Sequence, residues 1–112
     1  MYKTTVLLDF DIVGFHLYPD APKQVEFLKN KHRHNFRIKV GFEVTDANRE
    51  KEIFIEEDKI KFALNEWYGS PMQLENMSCE MLAEEILTHI KDDGGIFVEV
   101  LEDGRGGGRA EI

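Results

Sequence analysis

The chain has 112 residues, a net charge of −8 at pH 7, 42% hydrophobic residues and eight phenylalanines. That length suits one domain, residues 1–112, with enough apolar material for a core but a modest buried fraction that self-association would raise. The acids are spread along the chain rather than gathered in a tail, which disfavours nucleic acid and anionic membrane as partners.

The first element runs from about Lys3 to Phe15. Val6, Leu8, Phe10, Ile12, Gly14 and His16 share one parity, the period of a strand with one buried face. A loop around Pro19, Pro22 and Gln24 follows. From His32 to Val44 the alternation is strict: His32, His34, Phe36, Ile38, Val40, Phe42 and Val44 form one stripe, and Arg33, Asn35, Arg37, Lys39, Gly41 and Glu43 the other. Residues 45–48 turn the chain, and Ile53-Phe54-Ile55 reads as a short edge strand. Ile60, Ala63, Leu64, Trp67 and Tyr68 then keep helical spacing, with Glu56, Glu57 and Asp58 at the positive end and Gly69 and Pro71 as the stop. Ser78 reads as the N-cap of a second helix whose inner face is Cys79, Leu82, Ala83, Ile86 and Ile90. Gly94-Gly95 ends it. Ile96 to Glu102 forms another strand, and a glycine-rich turn leads to a short last one. The order ββααββ with antiparallel hairpins is an α+β pattern.

Two imidazoles, His32 and His34, continue an apolar stripe, and His16 continues another. If the two long strands pair antiparallel, the end of the first lies beside the start of the second and the three rings meet at one mouth of the sheet. Inward histidines serve either as hydrogen-bonded core residues or as ligands. Three neutral imidazoles together suit a zinc ion with its fourth position open. Ile96, Val98 and Val100 form a further inward stripe that ends on Glu102. A carboxylate at that parity either emerges into solvent or meets a partner.

At this point the chain resembles the 6-pyruvoyl- and 6-carboxy-tetrahydropterin synthases of the tunnelling fold. Residues 4–16, ending Gly14-Phe15-His16, look like the family's first strand, which closes in Ala-Ala-His. His32-Arg33-His34-Asn35-Phe36 is similar to its His-Gly-His-Asn-Tyr zinc motif, Ser78-Cys79-Glu80-Met81-Leu82-Ala83 to its Pro-Thr-Ser-Glu-Asn-Leu-Ala helix start, and residues 98–102 to its last long strand. Order and spacing agree over most of the chain, with a weak stretch between about Lys51 and Met77. The resemblance implies an antiparallel four-stranded sheet with two helices on one face. It implies zinc on His16, His32 and His34, and Glu102 holding a flat pterin by paired hydrogen bonds, with Glu80 a second contact. Glu102 alternatively stays solvated or pairs with Arg105 or Arg109. The substrate implied is dihydroneopterin triphosphate or a related pterin, in pterin or deazapurine precursor synthesis. Assembly would be a trimer or stacked hexamer with pockets between subunits.

The chain departs from the family where the chemistry lies. The family's cysteine, four residues before the first histidine of the pair, is Leu28 here, and its Leu-Asp-His motif has no counterpart between Ile60 and Met77. Glu26 is the one nearby substitute for that cysteine. Either the proton shuttle is rearranged, or the protein is a catalytically silent relative that binds pterin or zinc.

Cys79, at a helix start but on its apolar face, is expected to be a buried structural thiol, and His89 to be partly exposed. A single cysteine excludes an internal disulfide and fits a reducing compartment. With no bilayer-length apolar run and no charged-then-apolar leader, the expected location is the cytoplasm. Lys29, Lys31, Arg33, Arg37 and Lys39 read as a solvated basic face or as a docking site for a phosphorylated substrate. The run Gly104 to Gly108 lacks the Lys-Ser/Thr and the helix of a phosphate loop, and reads as a flexible hairpin turn.

Overall fold

The computed structural model describes residues 2–112. Its elements are β1 (Thr4–His16), a 3-10 segment (Lys23–Lys29), β2 (His32–Val44), α1 (Ile53–Tyr68), β3 (Met72–Glu75), α2 (Cys79–Ile90), a 3-10 turn (Lys91–Asp93), β4 (Gly95–Glu102) and β5 (Gly106–Glu111). The α+β class holds, but the sheet is five-stranded and mixed, not four-stranded and antiparallel. Its order is β3-β1-β2-β4-β5. β3 runs parallel to β1, and the other three pairings are antiparallel.

β1 and β2 pair residue for residue from Thr4 opposite Val44 to His16 opposite His32. Because side chains alternate between faces, this register puts both apolar stripes on one side of the sheet. Leu8, Phe10, Phe36, Ile38, Val40 and Phe42 are buried there with Val98 and Val100 of β4. Ile60 and Leu64 of α1 and Leu82, Ala83, Ile86 and Ile90 of α2 complete the same core. Full burial of each large aliphatic or aromatic side chain contributes about 1.5–3 kcal/mol.

The local expectations need correction in three places. Ile53, Phe54 and Ile55 are not an edge strand but the first turn of α1, and all three are exposed. A β-branched and aromatic triplet favours extended backbone locally. Here the Glu52 carboxylate accepts from the Ile55 N–H at 2.8 Å, capping a helix that starts at Ile53. Trp67, expected on the inner face of that helix, is instead exposed, edge-on to His89 on α2.

The second correction is β3. Its four residues alternate buried and exposed, with Met72 and Leu74 inward. Two periods are too few to separate a strand from a loop by pattern alone, and the docking that decides it is against Gly14, Phe15 and His16.

The third concerns the glycines. The turn occupies only residues 103–105, and Gly106, Gly107 and Gly108 belong to β5. A Cβ at Gly108 would run into the backbone of Glu80 at the start of α2. The run is therefore a close-packing surface that lets α2 settle on β5.

Candidate metal centre

The long β1–β2 hairpin delivers two histidines to one spot because His16 and His32 are direct cross-strand partners. His34, two residues along β2, shares their face opposite Gly14. The absence of a side chain at Gly14 matters, since a Cβ there would press to 3.1 Å against the Phe36 ring. Phe36 in turn packs edge-on to both His16 and His34 and forms the dry floor beneath them.

The three rings form a near-equilateral set, with centroids 4.6 Å apart for His16–His32, 5.3 Å for His16–His34 and 5.0 Å for His32–His34. Each offers a ring nitrogen, and these nitrogens lie within 4.8 Å of one another. Their other nitrogens are all held from outside. His16 Nδ1 lies 3.0 Å from the Met77 carbonyl, His32 Nδ1 2.8 Å from the Asn30 carbonyl and His34 Nδ1 2.6 Å from Asp103 Oδ2. Carbonyls and carboxylates only accept, so each Nδ1 must carry the proton and donate. A neutral ring then presents a bare lone pair at Nε2. This arrangement, with the outer nitrogen tethered and the inner one free, is how proteins orient metal-binding imidazoles.

Two further observations test the fit. His34 Nε2 is buried and has no hydrogen-bond partner. An orphaned polar atom of that kind is costly and calls for an explanation such as an ion. His16, only 8% exposed, faces the Met77 carbonyl with one nitrogen and Glu102 Oε2 with the other, the latter at 3.0 Å. One N–H cannot serve two acceptors, so Nε2 meets Glu102 either through a second ring proton or through a bound cation. The residues present fit a metal ion.

Glu102 sits where the inward stripe of β4 ends, opposite Phe36. Besides the His16 contact, its other oxygen is 3.7 Å from His34 Nε2, beyond hydrogen-bond reach. It pairs with neither arginine offered as an alternative: Arg109 bridges Glu99 and Glu111, and Arg105 forms no ion pair among the described residues. Glu80, in the first turn of α2, is exposed and lines the same open cleft of about 710 Å³ with the three histidines and Arg105.

Cys79 is buried against this cleft, as expected, with its Sγ 3.9 Å from Glu102 Oε2. Burial, then the nearby Glu102 and Glu80 carboxylates, push its thiol up to about 12. The helix-start position that would lower a thiol is outweighed by desolvation and like charge. Glu26 is exposed in the 3-10 segment and is not among the cleft residues, whereas Leu28 is. Of the basic cluster, Arg33, Arg37 and Lys39 lie on the outer face of β2, where Arg37 forms a two-pronged ion pair with Asp9 at 2.9 and 2.8 Å, whereas Lys29 and Lys31 precede the strand.

The residues that sequence reasoning missed are Met77, Asn30 and Asp103, the outer partners of the three imidazoles. Only Asp103 had a readable signal, since Asp103-Gly104 is a favoured hairpin-turn pair. Asp103 is held below the usual carboxylate range, first by the Asn35 backbone N–H and then by the His34 ring. Comparison with protein-family models and with curated proteins finds no match to this chain. No helix among the described residues is long and apolar enough to cross a membrane.

Proposed function

We propose that this chain is a zinc-binding protein of the tetrahydropterin synthase type, with His16, His32 and His34 as the metal ligands and a pterin such as dihydroneopterin triphosphate as the molecule it binds. The observation that carries the reading is the set of three converging imidazoles with every Nδ1 tethered and one buried Nε2 left without a partner. Zinc bound there supplies a Lewis acid that polarises substrate oxygens and acidifies the neighbouring C–H. The motif order along the chain supports the choice of zinc and of a pterin.

The chain's own residues supply the rest of the pocket. Glu102 presents a carboxylate at the rim, able to accept an N–H and an exocyclic amine side by side. Arg105, free of any ion pair among the described residues, puts a positive charge in the same cleft. That suits the phosphates of the substrate. A self-associated trimer or hexamer would enclose this open cleft.

A specific observation favours a second reading, that of a catalytically silent pterin- or zinc-binding relative. Leu28, at the sequence position of the family's cysteine, lines the cleft, Glu26 does not line it, and the Cys79 thiol is held protonated. The decisive experiment combines two measurements. Protein purified without chelator is expected to carry one zinc per chain, and His32→Ala none. Incubation with dihydroneopterin triphosphate then separates the readings: released triphosphate marks an enzyme, and binding without release marks the silent relative. Absence of zinc from the wild type sinks both.

A further inference from the structure

The turn between β4 and β5, residues 103–105, needs positive φ at its first two positions, and Asp103 at φ 54° followed by Gly104 at φ 72° meets that need. The Arg105 N–H closes the turn on the Glu102 carbonyl at 2.9 Å. Asn-Gly serves such a turn as well as Asp-Gly does. The turn alone therefore does not explain a carboxylate here, and its contacts do.

The Asp103 backbone N–H donates to the Asn35 carbonyl at 2.8 Å, and Oδ1 accepts the Asn35 N–H at 2.9 Å. This pair of bonds clamps the turn to β2 beyond the last rung of the β2–β4 ladder at Phe36. The clamp leaves Oδ2 pointed at one atom, His34 Nδ1, at 2.6 Å. His16 and His32 are tethered by neutral carbonyls. His34 alone has an anionic partner on Nδ1, and it is also the ring whose Nε2 is buried and unpartnered.

We infer that Asp103 is a positioning residue for the metal centre, fixing His34 in the Nδ1–H tautomer and making its Nε2 the most strongly donating of the three. A carboxylate on the outer nitrogen raises the basicity of the ring toward a metal, and loss of such a partner weakens metal affinity 10–100-fold. The inference rests on the metal reading above and adds a residue that acts on the metal through His34.

Asp103→Asn is the telling variant. Asparagine keeps the positive-φ turn and the Oδ1 clamp on Asn35, but it replaces Oδ2 with an amide donor facing an N–H. Zinc affinity is measured by competition with a chromophoric chelator. The His34 tautomer is read in metal-free protein from the ring nitrogen chemical shifts. The expected result is a 10–100-fold weaker zinc site and loss of the Nδ1–H tautomer at His34, with the metal-free thermal midpoint unchanged. Zinc affinity within twofold of wild type overturns the inference. So does a loss that merely tracks a lowered metal-free midpoint, which marks Asp103 as a turn residue only. If the wild type takes up no zinc, the metal reading fails by itself, and an unchanged His34 tautomer in Asp103→Asn then separately overturns the role given to Asp103. Asp103→Ala, which also removes the clamp, should be weaker still and less stable.

Discussion

At the Phe42 end of β2, Lys51 places its ammonium 2.8 Å from Asp93 and 3.9 Å from the buried Glu56, above the Phe42 ring. At the His32 end, roughly 33 Å away along the strand at about 3.3 Å per residue, three imidazoles converge and one inner nitrogen has no partner. Both ends bury polar groups, but only the first brings its own counter-charge. A carboxylate only 6% exposed is tolerable when an ammonium and a second lysine, Lys59 at 3.4 Å, attend it. The histidine end instead surrounds its rings with acceptors, at Met77, Asn30, Asp103 and Glu102, and leaves a place for a cation. The first network is closed, whereas the second could hold a metal ion.

Substitutions that exchange these roles test the contrast. The largest effect is expected from Lys51→Met, which strands Glu56 with only the exposed Lys59. The expected loss is about 3 kcal/mol of folding stability, read from the denaturant midpoint, with zinc content unchanged. A neutral result would mean that the Phe42 end does not depend on its counter-charge. Glu102→Gln should do the reverse. Folding stability and zinc content should hold, while pterin affinity measured by calorimetry should fall by about 1.5–3 kcal/mol, since one acceptor becomes a donor. Equal binding by the two proteins would remove Glu102 from the pocket.

The smallest effect belongs to Asp93→Asn. The Lys51 hydrogen bond holds the Asp93 carboxyl below its ordinary value of 3.8. A folded-state value below the unfolded one stabilises the fold above the ordinary carboxylate range. That contribution is lost as pH falls through the lower, folded value. Because Asp93 is largely exposed, the difference from wild type should be under about 1 kcal/mol at pH 7 and should vanish in acid. A gap that persists at low pH, in thermal melts across that range, would assign the effect to something other than the ion pair.

Much of the candidate site was legible from one strand period. Parity alone put His16, His32 and His34 on the inner face and Glu102 at its margin, because a pleated strand sends alternate side chains to opposite sides whatever it pairs with. The same logic in the helical period identified five residues of the inner face of α2, Cys79, Leu82, Ala83, Ile86 and Ile90, and missed only Leu87. It failed at the start of α1, where Ile53-Phe54-Ile55 has extended-chain propensity but is helix, capped by the Glu52 carboxylate. It also failed at β3, which is too short to carry a period.

What the sequence by itself determined is therefore the set of faces: which residues point inward, and hence that three imidazoles and a carboxylate share one side of the sheet. Tertiary structure alone decided what lies behind each ring. Met77 reaches His16 across 61 positions, by way of a parallel β3 that docks on the end of β1, and Asp103 reaches His34 across 69, by way of a turn clamped to β2. Such partners depend on which strands come to lie side by side, a matter of packing the whole core, and no local period records it.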